Sequence, residues 1–165
     1  MHENYQGIRR SGVGDHHHNR VAENAINNMV IIARTMMIHT VLSCPNTSEN
    51  ALWPMSMSHA VHLQISTPLF SGGLYPEEVW ESYMSSHIAL QNSHPWVCPV
   101  YVLGPRLQGG NKFPKWMPMY RVVQCLGAFP LHAITLGLVR NLNTGNIIPQ
   151  FHLVFDDYLE TLHAV

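Results

Sequence analysis

Glu23 has the most direct chemistry in the chain, a carboxylate placed one turn into a long helical pattern. Carboxylate oxygens are ligands that Mg²⁺ prefers. One carboxylate holds such ions weakly, and Asp15, the nearest acid upstream, stands in a loop beside three histidines and reads as a solvated charge. Glu23 also has a purely structural reading, since a helix N-terminus favours an acid in its first turn by about 0.3 to 1 kcal/mol. The second chemical set is cationic. Lys112, Lys115, Arg121 and Arg140, interleaved with Phe113, Trp116 and Tyr120, pair charge for a phosphate backbone with rings for base stacking. The same aromatics would equally close one end of a small barrel.

The 12 histidines include His16-His17-His18, which in a loop capture divalent metal opportunistically. A structural zinc site wants four placed N or S ligands, so this run is not one. His59 and His62 fall on one helical face, with no cysteine or acid at a neighbouring helical spacing, and read as buried or half-buried core side chains. Cys44, Cys98 and Cys125 are odd in number and far apart. That spacing matches neither a disulfide framework nor a paired zinc motif, so buried free thiols are expected.

Charge is distributed unevenly. Residues 1–81 hold four Arg and seven acids; residues 82–155 hold Arg106, Lys112, Lys115, Arg121 and Arg140 and no acid; residues 156–165 hold Asp156, Asp157 and Glu160. A stretch with five cations and no carboxylate suits an anionic polymer, although this density is also ordinary for a solvated surface. With 46% hydrophobic and 12% charged residues in 165, a folded chain with one modest core or two small ones is expected. The longest apolar run, from Met29 to Leu42, is interrupted by Arg34, Thr35, His39 and Thr40, and the N-terminus has no apolar secretory core. A soluble intracellular protein without membrane contact is the expectation.

The elements that must position these groups follow from periodicity. Residues 21–42 carry Ala22, Ile26, Met29, Ala33 and Met36 at helical spacing, with Asn19 as N-cap. Residues 44–50 form a turn leading to a second helix at 51–65, where Pro54 is tolerated only in the first turn. Its apolar residues lie all round, which predicts burial or a missing cover. A short helix is expected at 76–83. Beyond His94 the pattern becomes strand-like: 97–103, 120–127, 133–141 and 147–155, with a hairpin turn at 143–146 and an exposed loop at 104–118.

Within this frame, Gly12-Val-Gly-Asp-His-His-His-Asn-Arg-Val-Ala-Glu-Asn-Ala-Ile26 resembles the end of the integrase core in copia-type retrotransposon polyproteins. The resemblance continues through Ala33-Arg-Thr-Met, Leu52-Trp-Pro, Ala60-Val, Pro76-Glu-Glu-Val-Trp80 and Trp96-Val-Cys-Pro-Val-Tyr-Val-Leu103. Farther on, Lys115-Trp-Met-Pro, Gly137-Leu-Val-Arg-Asn-Leu, Thr144-Gly-Asn and Pro149-Gln-Phe-His-Leu-Val-Phe-Asp-Asp157 are similar to the SH3-like domain that follows the core. Two departures stand out. Arg20 replaces the usual glycine of the active-site loop, and Asn24 and Asn27 stand where integrases often offer cations.

The resemblance implies an α+β chain with three parts: the last helices of an RNase H-like integrase core (1–43), a helical connector (44–93) and a small SH3-like β-barrel (94–160). It implies that Glu23 is the third carboxylate of an Asp-Asp-Glu triad and a Mg²⁺ ligand in the complete core. The two aspartates belong upstream, so the isolated chain is expected not to catalyse DNA integration. Implied partners are DNA, through Lys112, Lys115, Arg121 and Arg140, the missing upstream core, and a second copy through exposed apolar helices; the implied site of action is the nucleus. A stand-alone nucleic-acid-binding or scaffold module, or the translated relic of a decayed element, remains the alternative.

Overall fold

In the computed structural model, the described residues are 19–45, 49–68, 73, 75–76, 93–110, 112, 114–128 and 136–162. Asp15, the three-histidine run, Phe113, the turn residues 46–48 and nearly all of the helix expected at 76–83 lie outside them.

Helix α1 spans Arg20–Ser43, as the helical period predicts. Asn19 opens it without a side-chain cap: its backbone carbonyl accepts from the Glu23 N–H at 2.9 Å. Only Ala33 and Thr40 are buried, while Val21, Ile31, Ile38 and Leu42 are more than half exposed. By length and composition this helix is apolar enough to cross a bilayer, with a mean hydropathy of 1.3 over its most apolar 18 residues. The interrupted run 29–42 understates that, because the full helix is 24 residues long. A 3-10 turn, Asn50–Leu52, leads into α2, Trp53–Ile65, with Pro54 in the first turn where its missing N–H is harmless. The expected burial of α2 is one-sided. Ser56, His59 and Ala60 are buried, whereas Trp53 and Val61 remain more than a third exposed.

The second half is one antiparallel sheet: β1 Pro99–Leu103, β2 Tyr120–Ala128, β3 Gly137–Arg140, β4 Ile147–Gln150 and β5 Leu153–Phe155, in the spatial order β4-β3-β2-β1-β5. Sequence periodicity predicts a single strand over 147–155. The structure divides it at Phe151 and His152, where His152 has a left-handed φ of 54°. The division has a large consequence, because β4 and β5 are opposite edges of the sheet. Laid flat, four strand spacings of about 4.8 Å would separate them by about 19 Å, which the three backbone steps from Gln150 to Leu153 cannot span at about 3.5 Å each. The sheet is therefore curled. In agreement, a Cβ placed on Gly137 of β3 would lie 2.4 Å from Leu153 Cδ1 of β5.

Alternation along the strands divides side chains between two cores. Inside the curl pack Cys98, Val100, Val102, Val123, Cys125 and Val139, flanked by Ile148, Leu153 and Phe155. Outside it, α1 and α2 cover part of the sheet through Cys44, Leu52, Trp96, Val97 and Leu126, with Met36, Met55, Leu138 and Ile147 at the margin. Helices and sheet thus share a core across the boundary expected near residue 94. Trp96 joins the layers: its indole N–H donates to Thr40 Oγ1 at 3.0 Å, and Thr40 donates to the Met36 carbonyl at 2.9 Å.

Candidate nucleic-acid interface

The sequence-predicted cations divide according to the pleat. On β3, Leu138 and Arg140 share the face that meets the helices, so Arg140 is buried and its guanidinium donates to Glu49. It does not share an exposed surface with the lysines. Arg121 is half-buried on β2, opposite Val102 of β1, with its Nε buried. Lys112 and Lys115 are exposed, and so is Arg106, which belongs to a single helical turn, Pro105–Gln108, inside the segment expected to be plain loop. The turn is fixed by Gly104, whose N–H donates to the Met119 carbonyl at 2.9 Å and whose carbonyl accepts from Leu107 and Gln108.

The exposed cations lie on the connection that leaves one end of the sheet. Leu103 pairs with Tyr120 at the end of the β1–β2 ladder, and the connection between them carries Arg106, Lys112, Lys115, Trp116, Met117 and Met119. Trp116 is 86% exposed, an arrangement that costs burial free energy and suits a ligand with flat apolar faces. From this end an apolar row continues over the uncovered outer face. Val122, Tyr101 and Val154 stand side by side across β2, β1 and β5, and both valines are exposed.

The opposite end of β1 has the opposite charge. Asp156 donates its N–H to the Pro99 carbonyl, which places the acidic segment one β1 length, about 13 Å, from the cationic end. An open groove of about 340 Å³ lies there, lined by Tyr101, Phe155, Tyr158 and the three acids. Asp156 is occupied structurally: hydrogen bonds from the Thr161 hydroxyl, then from the Thr161 and Glu160 amides, hold its carboxyl below the ordinary carboxylate range. Asp157 pairs with His94 at 2.9 Å, and the His94 ring stacks on Phe155 with centroids 3.4 Å apart. The sheet thus presents a dipolar outer surface, with cations and Trp116 at one end and carboxylates at the other.

Glu23 is exposed in the first turn of α1. Among the described residues no three His, Cys, Asp or Glu side chains converge on a point that a metal ion could share. His59 and His62 sit with ring centroids 6.3 Å apart, and His59 also lies 5.6 Å from Trp96. Burial, with the nearby His62 adding repulsion, lowers the His59 pKa to about 4, which fixes a neutral imidazole.

Arg106 is absent from the sequence-predicted site because its segment looks featureless in sequence. Its exposure follows from the turn that Pro105 starts. Comparison of the chain with protein-family models, with curated proteins and with solved structures returned no match.

Proposed function

We propose that this chain is the C-terminal part of a copia-type retroelement integrase, and that its curled sheet contacts nucleic acid through the cationic end. The single observation that carries the nucleic-acid reading is the gathering of Arg106, Lys112, Lys115 and Trp116, all exposed, at the end of the β1–β2 ladder, with every described carboxylate of the sheet at the other end. The integrase reading is supported by the ordered sequence blocks from Gly12 to Asp157 and by a five-stranded antiparallel sheet curled as an SH3-like barrel requires. The piece positions DNA. Glu23 acts as a Mg²⁺ ligand only alongside the two aspartates that the resemblance places on earlier strands. The exposed apolar stripe of Ile31, Ile38 and Leu42 on α1 is, in this reading, the surface that meets the rest of the integrase core or a second copy. A nuclear site of action follows from the same reading.

The stand-alone binding-module reading shares the cationic end and differs only in lacking the upstream core, so one experiment serves both. Binding of the full chain to labelled duplex DNA across a salt series should weaken steeply as salt rises. In the Arg106→Ala, Lys112→Ala, Lys115→Ala variant, the slope of log K against log salt should flatten by about 0.9 for each phosphate that is no longer neutralised. Arg140 is left intact because its buried guanidinium supports the fold. Binding that is unchanged in the triple variant would remove the cationic end from the account.

A further inference from the structure

Two of the three thiols meet across the sheet, outside any role described so far. Cys98 and Cys125 are 0% and 2% exposed and pack in the same core inside the curl. They face each other at the start of the β1–β2 ladder: the Cys125 N–H donates to the Cys98 carbonyl at 3.0 Å, one step beyond the Pro99 and Gln124 pair. Residues opposed in an antiparallel ladder have Cα atoms about 4.5 to 5.5 Å apart, which is within the range that a disulfide spans. Both side chains also fall on the same face, because Cys98 alternates with Val100 and Val102 while Cys125 alternates with Val123.

The sulfurs are not equivalent. Cys125 Sγ accepts the Gly127 backbone N–H at 3.3 Å, so negative charge on it has a donor. A thiol hydrogen bond to Cys125, with burial second, raises the Cys98 pKa and holds that group as the protonated donor of the pair. The third cysteine, Cys44, packs in the other core with Leu52 and Trp96. Next to the pair the backbone is under strain: Val97, a β-branched residue, has a φ of 65°. Its N–H donates to the Cys125 carbonyl, so that Val97 and Cys98 together oppose Cys125 in a bulge.

We propose that Cys98 and Cys125 form a reversible disulfide that staples β1 to β2, and with them the connection that carries the cationic end. The co-reactant is a low-molecular-weight disulfide such as oxidised glutathione. The Cys125 thiolate attacks one of its sulfurs, forming a protein–glutathione disulfide and releasing one reduced glutathione. Cys98 then loses its proton and attacks the Cys125 sulfur, forming the protein disulfide and releasing the second. Two S–H bonds and one S–S bond are exchanged for one S–S and two S–H, with the protein oxidised by two electrons. Because both sulfurs are buried, the reaction proceeds through openings of the bulge at Val97 and is slow.

The test uses the full chain with oxidised glutathione as the oxidant, followed by alkylation, proteolysis and mass spectrometry. The expected product has lost two hydrogens and links the peptides containing Cys98 and Cys125. It forms equally in the Cys44→Ser protein, and it raises the unfolding midpoint by about 10 °C, reversed by dithiothreitol, because the bond closes a loop of 28 residues, Cys98 to Cys125, in the unfolded chain. In Cys125→Ser protein the rise should vanish. Since that variant loses a core sulfur and could fold poorly, the Cys44→Ser mass measurement stands alone as a second test. A linkage to Cys44, a glutathione adduct that persists without internal closure, or two free thiols in folded Cys44→Ser protein after prolonged oxidation would each overturn the proposal.

Discussion

Replacing Gly127 with alanine should destabilise the fold by about 3 kcal/mol. Two costs coincide there. Gly127 has a φ of 99°, a conformation that glycine adopts freely and an L side chain resists at roughly 1 kcal/mol or more. An added Cβ would also lie 2.5 Å from His59 Nδ1 and 3.2 Å from its Cγ. The imidazole cannot swing aside at low cost, being 6% exposed and packed beside Trp96. Its displacement would open the contact between α2 and β2 that joins the helical layer to the sheet. Denaturant titration checks this, and a double variant separates the parts. With His59→Ala in the background, the steric cost should disappear and about 1 kcal/mol of backbone strain should remain. A Gly127→Ala midpoint indistinguishable from that of the parent would contradict the close approach.

Acid should weaken the fold through the same histidine. His59 has a folded pKa lowered to about 4 from an ordinary 6.5, so between those values the unfolded chain binds a proton that the folded chain excludes. The sign follows: stability is complete above pH 6.5 and falls as pH drops towards 4. The loss is about 3 kcal/mol, since a pKa difference of one between folded and unfolded chain corresponds to about 1.4 kcal/mol. The physical cause is burial of an imidazole whose Nδ1 has no hydrogen-bond partner among the described residues, so a proton gained there is not solvated. Asp156 acts in a different window. Its carboxyl is held below the ordinary carboxylate range by Thr161, so its contribution is present above that range and is lost only at more acid pH. Urea unfolding at pH 7, 6, 5 and 4.5 should show the slope, and His59→Phe should flatten it while changing the level at pH 7 less. A parent protein as stable at pH 4.5 as at pH 7 would mean that His59 is solvated in the folded chain.

Much of the architecture was legible locally. The period of Ala22, Ile26, Met29, Ala33 and Met36 was enough to place α1, and the alternation of Cys98, Val100 and Val102 was enough to place β1. What could not be read depends on partners far away in sequence. Arg140 counts as a surface cation until Glu49, 91 residues earlier, comes to lie against it. The local signal was its parity with Leu138, which put it on the helix-covered face. The break between β4 and β5 had a local sign in Pro149, which lacks a ladder donor, and in His152, but the residues on either side fit one apolar strand equally well. The closeness of Gly127 to His59 had no sequence signature at all. For the candidate site, the spacing of Lys112, Lys115 and Trp116 pointed to one loop. Only the ladder ending at Leu103 and Tyr120 sets that loop, Arg106 included, at one end of the sheet and the carboxylates at the other.

That polarity is the central claim, and it can be read residue by residue. Backbone amide resonances of the isotopically labelled 165-residue chain, followed as duplex DNA is added at low salt, should move first and farthest within residues 104–121. The acidic segment at 156–160 and the α2 surface should stay nearly still. Changes concentrated at Tyr158 and its acidic neighbours, or spread along α1, or absent from a folded sample with DNA in excess, would contradict it.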